Sequence, residues 1–420
     1  MIPIIPVNDF LAQNSLVSPI NKPINSIVPL VGEHTLSGLK NSPPLSLYIH
    51  IPWCVKKCPY CDFNSHESRN KNGEIPEAVY VDALIADLEQ AVPKIWGRRI
   101  RSIFFGGGTP SLFSSESIDR ILSHVRMLTQ LEYGAEITLE ANPGTVDAAH
   151  FAGYKLAGVN RVSLGIQSFN DAHLQSLGRI HNQEQAKQAI TLALNTFEQV
   201  NLDVMYGLPN QTLAEALHDA QTAVDFKTAH LSIYHLTLEP NTAFYHTPPS
   251  LPDDDLSATM QEQIEILLKL NGYQHYETSA FARVGKQCWH NLNYWQFGDY
   301  LGIGAGAHSK LSYHDKITRE SRYKHPKQYM EKTLSGLHIE QERIITQDEL
   351  GFEFMMNALR LNDGVETRLF AQHTGLSITS LNTKLHIAHN KGLLEPSLTR
   401  IQPTLRGQRY LNDLLQLFLE

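Results

Sequence analysis

The pattern of apolar positions along the chain changes near residue 45. Before that point Pro, Asn and Ser are frequent and no period is sustained, which predicts a poorly ordered N-terminal extension over residues 1–44. Beyond it, short runs typical of β-strands alternate with longer segments of helical period. The predicted strands are 46–51, 102–105, 136–139, 161–166, 201–205 and 231–236.

The segments between these runs carry the apolar spacing of amphipathic helices. Ile118, Ile121, Leu122 and Val125 fall at i, i+3, i+4 and i+7, and the same spacing recurs within 190–197 and 213–220. Strand–helix alternation predicts an α/β fold with a parallel sheet or barrel. Six strands are too few for an eight-fold barrel, so the count favours an open, partial (β/α)6 barrel.

The C-terminal part of the chain shows a different pattern. Residues 264–270 read as helix and 274–309 as strands and loops, whereas 366–395 read as helix, glycine-containing turn, helix and short strand. This order predicts a small winged-helix-like domain. The predicted organisation is an extension over 1–44, a core barrel over 45–245, a barrel extension over 246–340 and the C-terminal domain over 341–420.

Composition narrows the class of protein. The 420 residues carry a net charge of −8, and basic and acidic residues balance in the winged-helix-like region, so nucleic acid is not expected as a partner. The sequence shows neither a secretory signal nor a stretch of about 20 apolar residues that would predict a transmembrane segment. We therefore expect a cytoplasmic protein, with peripheral contact to a membrane left open.

Three of the four cysteines lie within eight residues. Cys54, Cys58 and Cys61 have the spacing C-x3-C-x2-C, which in a cysteine-poor chain indicates metal ligation rather than disulfides. Zinc would need a fourth ligand, for which His66 is the nearby candidate, and the spacing is unusual for zinc. A [4Fe–4S] cluster on three cysteines would leave one iron free to bind a cofactor. The trio follows the first strand, where ligand sites of parallel α/β folds lie.

A glycine-rich turn follows the second predicted strand. Gly106, Gly107 and Gly108 would let the backbone approach a ligand closely, and Thr109 adds a hydroxyl. No G-K-[ST] follows, so the turn does not match a phosphate-binding P-loop.

Polar residues occupy the ends of the next strands. Glu140 ends the third strand and could pair with an ammonium group, and Gln167 follows the fourth. Arg179 lies in the loop beyond it, and Asp203 lies in the fifth strand, where a buried carboxylate needs a donor. Each could be structural by itself, but together they predict one site at the carboxyl ends of the strands.

With these motifs the chain resembles the radical S-adenosylmethionine (SAM) superfamily. The resemblance implies a partial barrel, a [4Fe–4S] cluster whose open iron holds SAM, and an electron donor for the cluster. It is similar in particular to the coproporphyrinogen III dehydrogenase-like branch. By motif match, the expected SAM contacts are the glycine turn, including Gly107, and Tyr48, Tyr60, Gly108, Thr109, Glu140, Gln167, Arg179 and Asp203.

Two features distinguish groups within that branch. The dehydrogenase has a further cysteine where this chain has Phe63, whereas the related haem chaperones have phenylalanine. The stretch from His290 to Trp295, HNLNYW, resembles the haem-binding motif of those chaperones. The resemblance implies a haem site with His290 or Cys288 as possible iron ligands and with Asn291, Tyr294 and Trp295 around the porphyrin. The alternative is a packed aromatic loop around a structural histidine.

The resemblance thus implies a haem chaperone rather than an enzyme with dehydrogenase activity. Its expected cofactors are the cluster, SAM and haem, and its partners in porphyrin and haem metabolism would be acceptor haemoproteins, often membrane-bound. The alternatives are the oxygen-independent dehydrogenase and a radical SAM enzyme acting on another substrate.

Overall fold

The computed structural model describes residues 38–68 and 75–419. Residues 1–37 of the extension that was predicted to be poorly ordered lie outside the described residues. The described part of that segment contacts the rest of the protein: the Leu39 side chain is buried, and Arg98 donates a 2.6 Å hydrogen bond to the Pro43 carbonyl.

All six predicted runs form strands, and these strands lie side by side in chain order. They are all parallel to one another, as the strand–helix alternation predicted. Their bounds are β1 Leu45–Ile51, β2 Arg99–Gly107, β3 Gln130–Ala141, β4 Arg161–Gln167, β5 Gln199–Tyr206 and β6 His230–His235.

Each of these strands is followed by a helix of ten or more residues, which gives the six β/α units of a partial barrel. The helices are α1 Glu77–Ala91, α2 Ser115–Leu128, α3 Ala148–Ala157, α4 Gln183–Thr196, α5 Leu213–Asp225 and α6 Asp254–Leu270. Asn182 and Thr212 form reciprocal capping boxes at the starts of α4 and α5, which satisfies N–H groups that a helix end leaves free. Shorter helices cover Asp171–Ser176 and Ala243–His246.

Alternation along the strands separates an apolar outer face from a polar inner face. On β1, Leu47 and Ile49 pack into the core formed with the surrounding helices, whereas Ser46 and His50 belong to the other face. Ser46 hydrogen-bonds Ser102 of β2 across the inner face at 2.8 Å. The interior of the barrel is therefore lined by polar groups, which is where a bound ligand would find partners.

Further strands extend both edges of the sheet. β7 Gln274–Glu277 and β8 Ala280–Ala282 add antiparallel strands beyond β6, and helix α7 Trp289–Trp295 follows them. On the opposite edge, a strand from late in the chain pairs parallel with β1, and three antiparallel strands continue from it. These elements are β9 Asp299–Ile303, β10 His308–Ser312, β11 Ile317–Ser321, helix α8 Pro326–Leu334 and β12 Gln341–Ile344. The strand order is β12-β11-β10-β9-β1-β2-β3-β4-β5-β6-β8-β7.

The C-terminal residues form a small helical domain with its own core. Its elements are α9 Gln347–Ala358, α10 Thr367–Thr374, α11 Asn382–Asn390, the short helices Leu405–Arg409 and Leu411–Gln416, and a ladder between Val365–Glu366 and Arg400–Ile401. Gly375 ends α10 with a φ of 73°, as the predicted glycine turn requires. Its core includes Tyr294 and Trp295 of α7, so this domain packs directly on the HNLNYW segment.

Across the described ranges, no helix has both the length and the apolar content that crossing a bilayer demands.

Candidate cofactor site

A cavity of about 1000 Å³ opens at the carboxyl ends of the parallel strands. It brings together residues that are far apart in the sequence but were predicted to share one site. The predicted residues that line it are Cys54, Cys58, Tyr60, Cys61, Gly107, Gly108, Thr109, Glu140, Gln167, Arg179 and Asp203. Phe63, at the position that separates the two groups of the branch, also lines it.

The cysteine loop is anchored at its base by a short parallel ladder. Trp53–Cys54 pairs with His66–Glu67, and the His66 N–H donates to the Pro52 carbonyl at 2.7 Å. The Asn64 amide then ties the loop to a distant segment by donating to the Ala305 carbonyl at 2.9 Å. These bonds fix both ends of the loop and leave the segment that carries Cys58 and Cys61 facing the cavity.

Burial disfavours the free thiolate at two of the three cysteines. Burial raises the pKa of Cys54 and raises that of Cys61 to about 11. Arg179 donates from Nη1 to the Cys58 sulfur at 3.6 Å and from Nη2 to the Gly165 carbonyl at 2.7 Å. Among the described residues, no three His, Cys, Asp or Glu side chains converge closely enough to hold one metal ion. The thiols share a cavity wall, and their role as cluster ligands stays a prediction.

The glycine turn packs directly against the cysteine loop. The Gly108 N–H donates to Ile51 O at 2.7 Å, and the Thr109 N–H donates to Trp53 O at 2.8 Å. A Cβ added at Gly108 would lie 2.5 Å from the Trp53 carbonyl oxygen, and one at Gly107 would lie 2.5 Å from the His50 ring. Only glycine therefore fits this close approach between the turn and the residue preceding Cys54.

Two carboxylates face the cavity from neighbouring parts of the sheet. Burial raises the pKa of Glu140 to about 7, and its Oε2 accepts a 3.2 Å hydrogen bond from the Gly107 N–H. Asp203 accepts hydrogen bonds from Ser163 at 3.0 Å and from Asn201 at 2.8 Å. Among the described residues, Glu140 Oε1 accepts no hydrogen bond, whereas both oxygens of Asp203 accept one, so Glu140 is better placed to pair with a cationic ligand.

Gln167 carries backbone strain at the edge of the cavity. Its φ is 70°, in the left-handed region that residues other than glycine seldom adopt. Strain of this kind persists where the surroundings fix the residue, and it is frequent at ligand sites.

Tyr48 does not join the other predicted SAM contacts on the cavity wall. Its hydroxyl lies 2.9 Å from His50 Nδ1, and its ring stacks on Phe104 at 6.5 Å. His50 was not predicted from the sequence. It bridges Tyr48 to the cysteine loop because its Nε2 lies 2.8 Å from the Asn64 carbonyl oxygen. His50 lies two residues after Tyr48 on β1 and therefore on the same face of the strand, and this spacing is the sequence signal that could have identified it.

The HNLNYW segment is helix α7, and most of it is buried instead of lining the cavity. His290 is fully buried, stacks on Phe104 at 4.8 Å and lies with Nδ1 3.1 Å from the Ser102 hydroxyl. Burial lowers the pKa of His290 to about 3, so the imidazole is neutral. Its Nε2 is buried and finds no hydrogen-bond partner within the described part of the chain.

The other predicted haem residues surround this histidine. Cys288 donates to Glu136 Oε1 at 3.3 Å, and burial raises the pKa of the thiol to about 12. Glu136 also accepts the His290 backbone N–H at 3.1 Å. Tyr294 contacts the His290 ring edge to face at 4.9 Å. Asn291 is half-buried, with its Oδ1 3.5 Å from the Cys288 sulfur.

Trp295 links this buried segment to the cavity. Its indole Nε1 is buried without a hydrogen-bond partner in the described residues. The Arg360 guanidinium lies 5.1 Å from the centre of its ring, and Arg360 lines the cavity. Arg360 belongs to the C-terminal domain, and no sequence motif singled it out.

The open barrel of six β/α units, with a cavity at the carboxyl ends of its strands, has the architecture of radical SAM proteins, and the family comparison agrees. Residues 48–223 match the family model of the Radical SAM superfamily, and residues 345–410 match that of the HemN C-terminal domain. The structure is similar to the solved structure of coproporphyrinogen III oxidase (HemN) from Escherichia coli. The TM-score is 0.76, with 91% of this chain and 92% of that chain covered, and at 23% sequence identity the likeness concerns the fold alone.

Curated relatives define the family more narrowly. The chain is 50% identical over 383 residues to heme chaperone HemW of Haemophilus influenzae, which covers 90% of this chain and 98% of that protein. It is 48% identical to heme chaperone HemW of Escherichia coli, with 90% and 98% covered, and 33% identical to that of Bacillus subtilis, with 89% and 99% covered. The chain belongs to the HemW family of radical SAM proteins.

Proposed function

We propose that this protein is a haem chaperone that binds a [4Fe–4S] cluster, SAM and haem, and passes haem to acceptor haemoproteins. Support comes from relatives named heme chaperone HemW, up to 50% identical over most of the chain. An electron donor for the cluster and a cytoplasmic location belong to the same proposal.

The residues around the cavity fit the cluster and SAM. Cys54, Cys58 and Cys61 are free cysteines that line the cavity, and thiolate is the ligand that iron–sulfur clusters prefer. Glu140 would receive the ammonium group of SAM, and the Gly107–Gly108 turn leaves room for its methionyl part. The reduced cluster would supply the electron that cleaves SAM.

The unpartnered Nε2 of His290 is the observation that carries the haem part of the proposal. A buried polar atom without a partner costs on the order of 1–3 kcal/mol, so a fold that retains one needs a reason. A neutral imidazole with a free ring nitrogen is the form that ligates haem iron. Because His290 is fully buried, haem binding there requires α7 to separate from the Phe104 and Ser102 side chains.

Haem titration of purified protein tests this proposal. We expect a shift of the Soret band on binding, and we expect His290→Ala to weaken haem affinity at least tenfold and to change the band position. His338→Ala removes a half-buried histidine whose Nδ1 lies 2.9 Å from Gln90 Oε1, away from α7, and serves as the control. Equal affinity and an identical spectrum for His290→Ala and the native protein would remove His290 from the site.

A second assay separates the chaperone from the dehydrogenase. The dehydrogenase group has a cysteine at the position of Phe63, which here presents an apolar ring to the cavity. Reconstituted protein with SAM, a reductant and coproporphyrinogen III should therefore form no protoporphyrinogen beyond trace amounts. Sustained turnover would replace the chaperone proposal with the enzymatic one.

A further inference from the structure

The cavity continues past the predicted SAM contacts to the C-terminal domain. Its volume of about 1000 Å³ lies at the upper end of the range of roughly 300–1,000 Å³ typical of a ligand pocket, which leaves room for a second ligand beside SAM. We call the part that the C-terminal domain, Thr278 and Ser279 line the distal half. Its lining includes Thr278, Ser279, Met356, Arg360, Arg409, Leu411, Asp413 and Leu415.

Arg360 is a residue of the distal half whose guanidinium donors are available to a ligand. Its guanidinium lies against the Trp295 ring at 5.1 Å, and a guanidinium held on an aromatic face keeps its N–H donors available at its edge. Within residues 38–68 and 75–419, its side chain makes no hydrogen bond or ion pair. The neighbouring Glu277 is buried and interacts electrostatically with Arg360, but its carboxylate accepts its hydrogen bond from the Ser279 N–H at 3.4 Å.

The other arginine of this region already has a partner. Arg409, which also lines the cavity, forms a bidentate ion pair with Glu265, in which Nη1 donates to Oε1 at 2.7 Å and Nη2 donates to Oε2 at 2.6 Å. Arg360 is therefore the arginine in the distal half that is available to an incoming anion. Met356, Leu411 and Leu415 add apolar surface to the same part of the cavity, and Asp413 adds a carboxylate. Apolar side chains beside an arginine that forms no ion pair suit a large, mainly apolar molecule that carries a carboxylate.

We propose that the distal half of the cavity is a haem subsite in which Arg360 binds a propionate carboxylate of haem. This inference rests on the proposed haem-binding function and adds the position of the porphyrin. Because Arg360 contacts Trp295, the subsite adjoins α7, and porphyrin bound there lies on the cavity side of the segment that carries His290.

Esterified haem provides the test. Haem and haem dimethyl ester, whose propionates carry no charge, are titrated into the native protein, Arg360→Met, Arg360→Lys and the control Arg368→Met. Arg368 lies in the same domain with 74% of its side chain exposed and pairs with Glu366, so its loss should not affect either ligand. We expect Arg360→Met to weaken haem binding roughly tenfold to hundredfold, the range for losing a charge-assisted hydrogen bond to a buried partner, and Arg360→Lys to restore part of it.

The ester arm distinguishes a propionate contact from a structural role. We expect Arg360→Met to bind haem dimethyl ester as well as the native protein does. If haem and its ester are weakened equally, or if haem is not weakened, the subsite proposal is overturned while the chaperone function stands. Failure of the native protein to bind haem at all would reject the proposed function itself.

Discussion

Replacing Gly108 by alanine adds a single methyl group at the contact between the glycine turn and the cysteine loop. The new Cβ would lie 2.5 Å from the Trp53 carbonyl oxygen and 2.8 Å from its carbonyl carbon. Both are backbone atoms, and the Thr109 N–H holds that carbonyl at 2.8 Å, so neither side can rotate away. The turn and the loop must separate by about 0.5 Å before the closest contact reaches 3.0 Å.

The expected effect has a thermodynamic and a functional part. Overpacking of this kind costs about 1–3 kcal/mol, less than the roughly 5–15 kcal/mol that stabilises a typical domain, so the variant should fold with a lower denaturation midpoint. Because Trp53 precedes Cys54, the displacement moves a proposed cluster ligand. We therefore expect Gly108→Ala to retain less iron after anaerobic reconstitution and to bind SAM more weakly.

Gly97→Ala is the matched control for this substitution. Gly97 has a φ of 76°, and nothing lies within 4 Å of an added Cβ, so alanine there adds about 1–2 kcal/mol of backbone strain without a collision. It precedes β2 at the end of the strand opposite the cavity. Its denaturation midpoint should fall by a similar amount while iron content and SAM affinity stay native. Native midpoint, iron content and SAM affinity in Gly108→Ala would refute the steric argument.

Three further predictions concern charged groups. With the pKa of Glu140 raised by burial to about 7, SAM affinity should rise with pH by up to tenfold per unit below pH 7 and level off above it. Glu140→Gln should bind more weakly and without this pH dependence, as equilibrium titration at pH 6 to 8 would reveal; a parallel slope in the variant would reassign the titrating group. The same pKa, above the ordinary 4.5, should lower the free energy of unfolding as pH rises from 4.5 to 7, because the unfolded carboxyl releases its proton first. Asp87→Asn should lower the free energy of unfolding by about 1–3 kcal/mol, since the fully buried Arg322 loses the carboxylate that Nε contacts at 2.9 Å and keeps, within the described ranges, only Glu320, 3.2 Å from Nη1. Urea denaturation with no loss of stability would contradict this.

The sequence was sufficient to predict the central strands because their signals are local. The runs at 46–51 and 161–166 are short and apolar with helical segments between them, and both form parallel strands. β9 was not predicted as the neighbour of β1, because it lies within a glycine- and aromatic-rich stretch. Its partner Leu45 precedes Asp299 by about 250 residues, and such pairing leaves no periodicity in either segment.

Residues at strand ends were predictable for a topological reason. Parallel strands end at the same edge of a sheet, so Gly108, Glu140 and Gln167 meet around one cavity. The position of the HNLNYW segment was not predictable in this way. It is a buried helix because Glu136, on the inner face of β3, accepts the N–H groups of Trp289 and His290, and nothing near Glu136 in the sequence indicates this partner.

The pairing of β9 with β1 also affects how the polypeptide reaches its native state. β1 immediately precedes the cysteine loop, yet one of its two edges is covered only by a strand that emerges from the ribosome about 250 residues later. Until then the nascent barrel presents an apolar strand with unpaired backbone groups, which is a template for aggregation. Synthesis of residues up to Ile303 is therefore a precondition for covering the strand that leads into the cysteine loop.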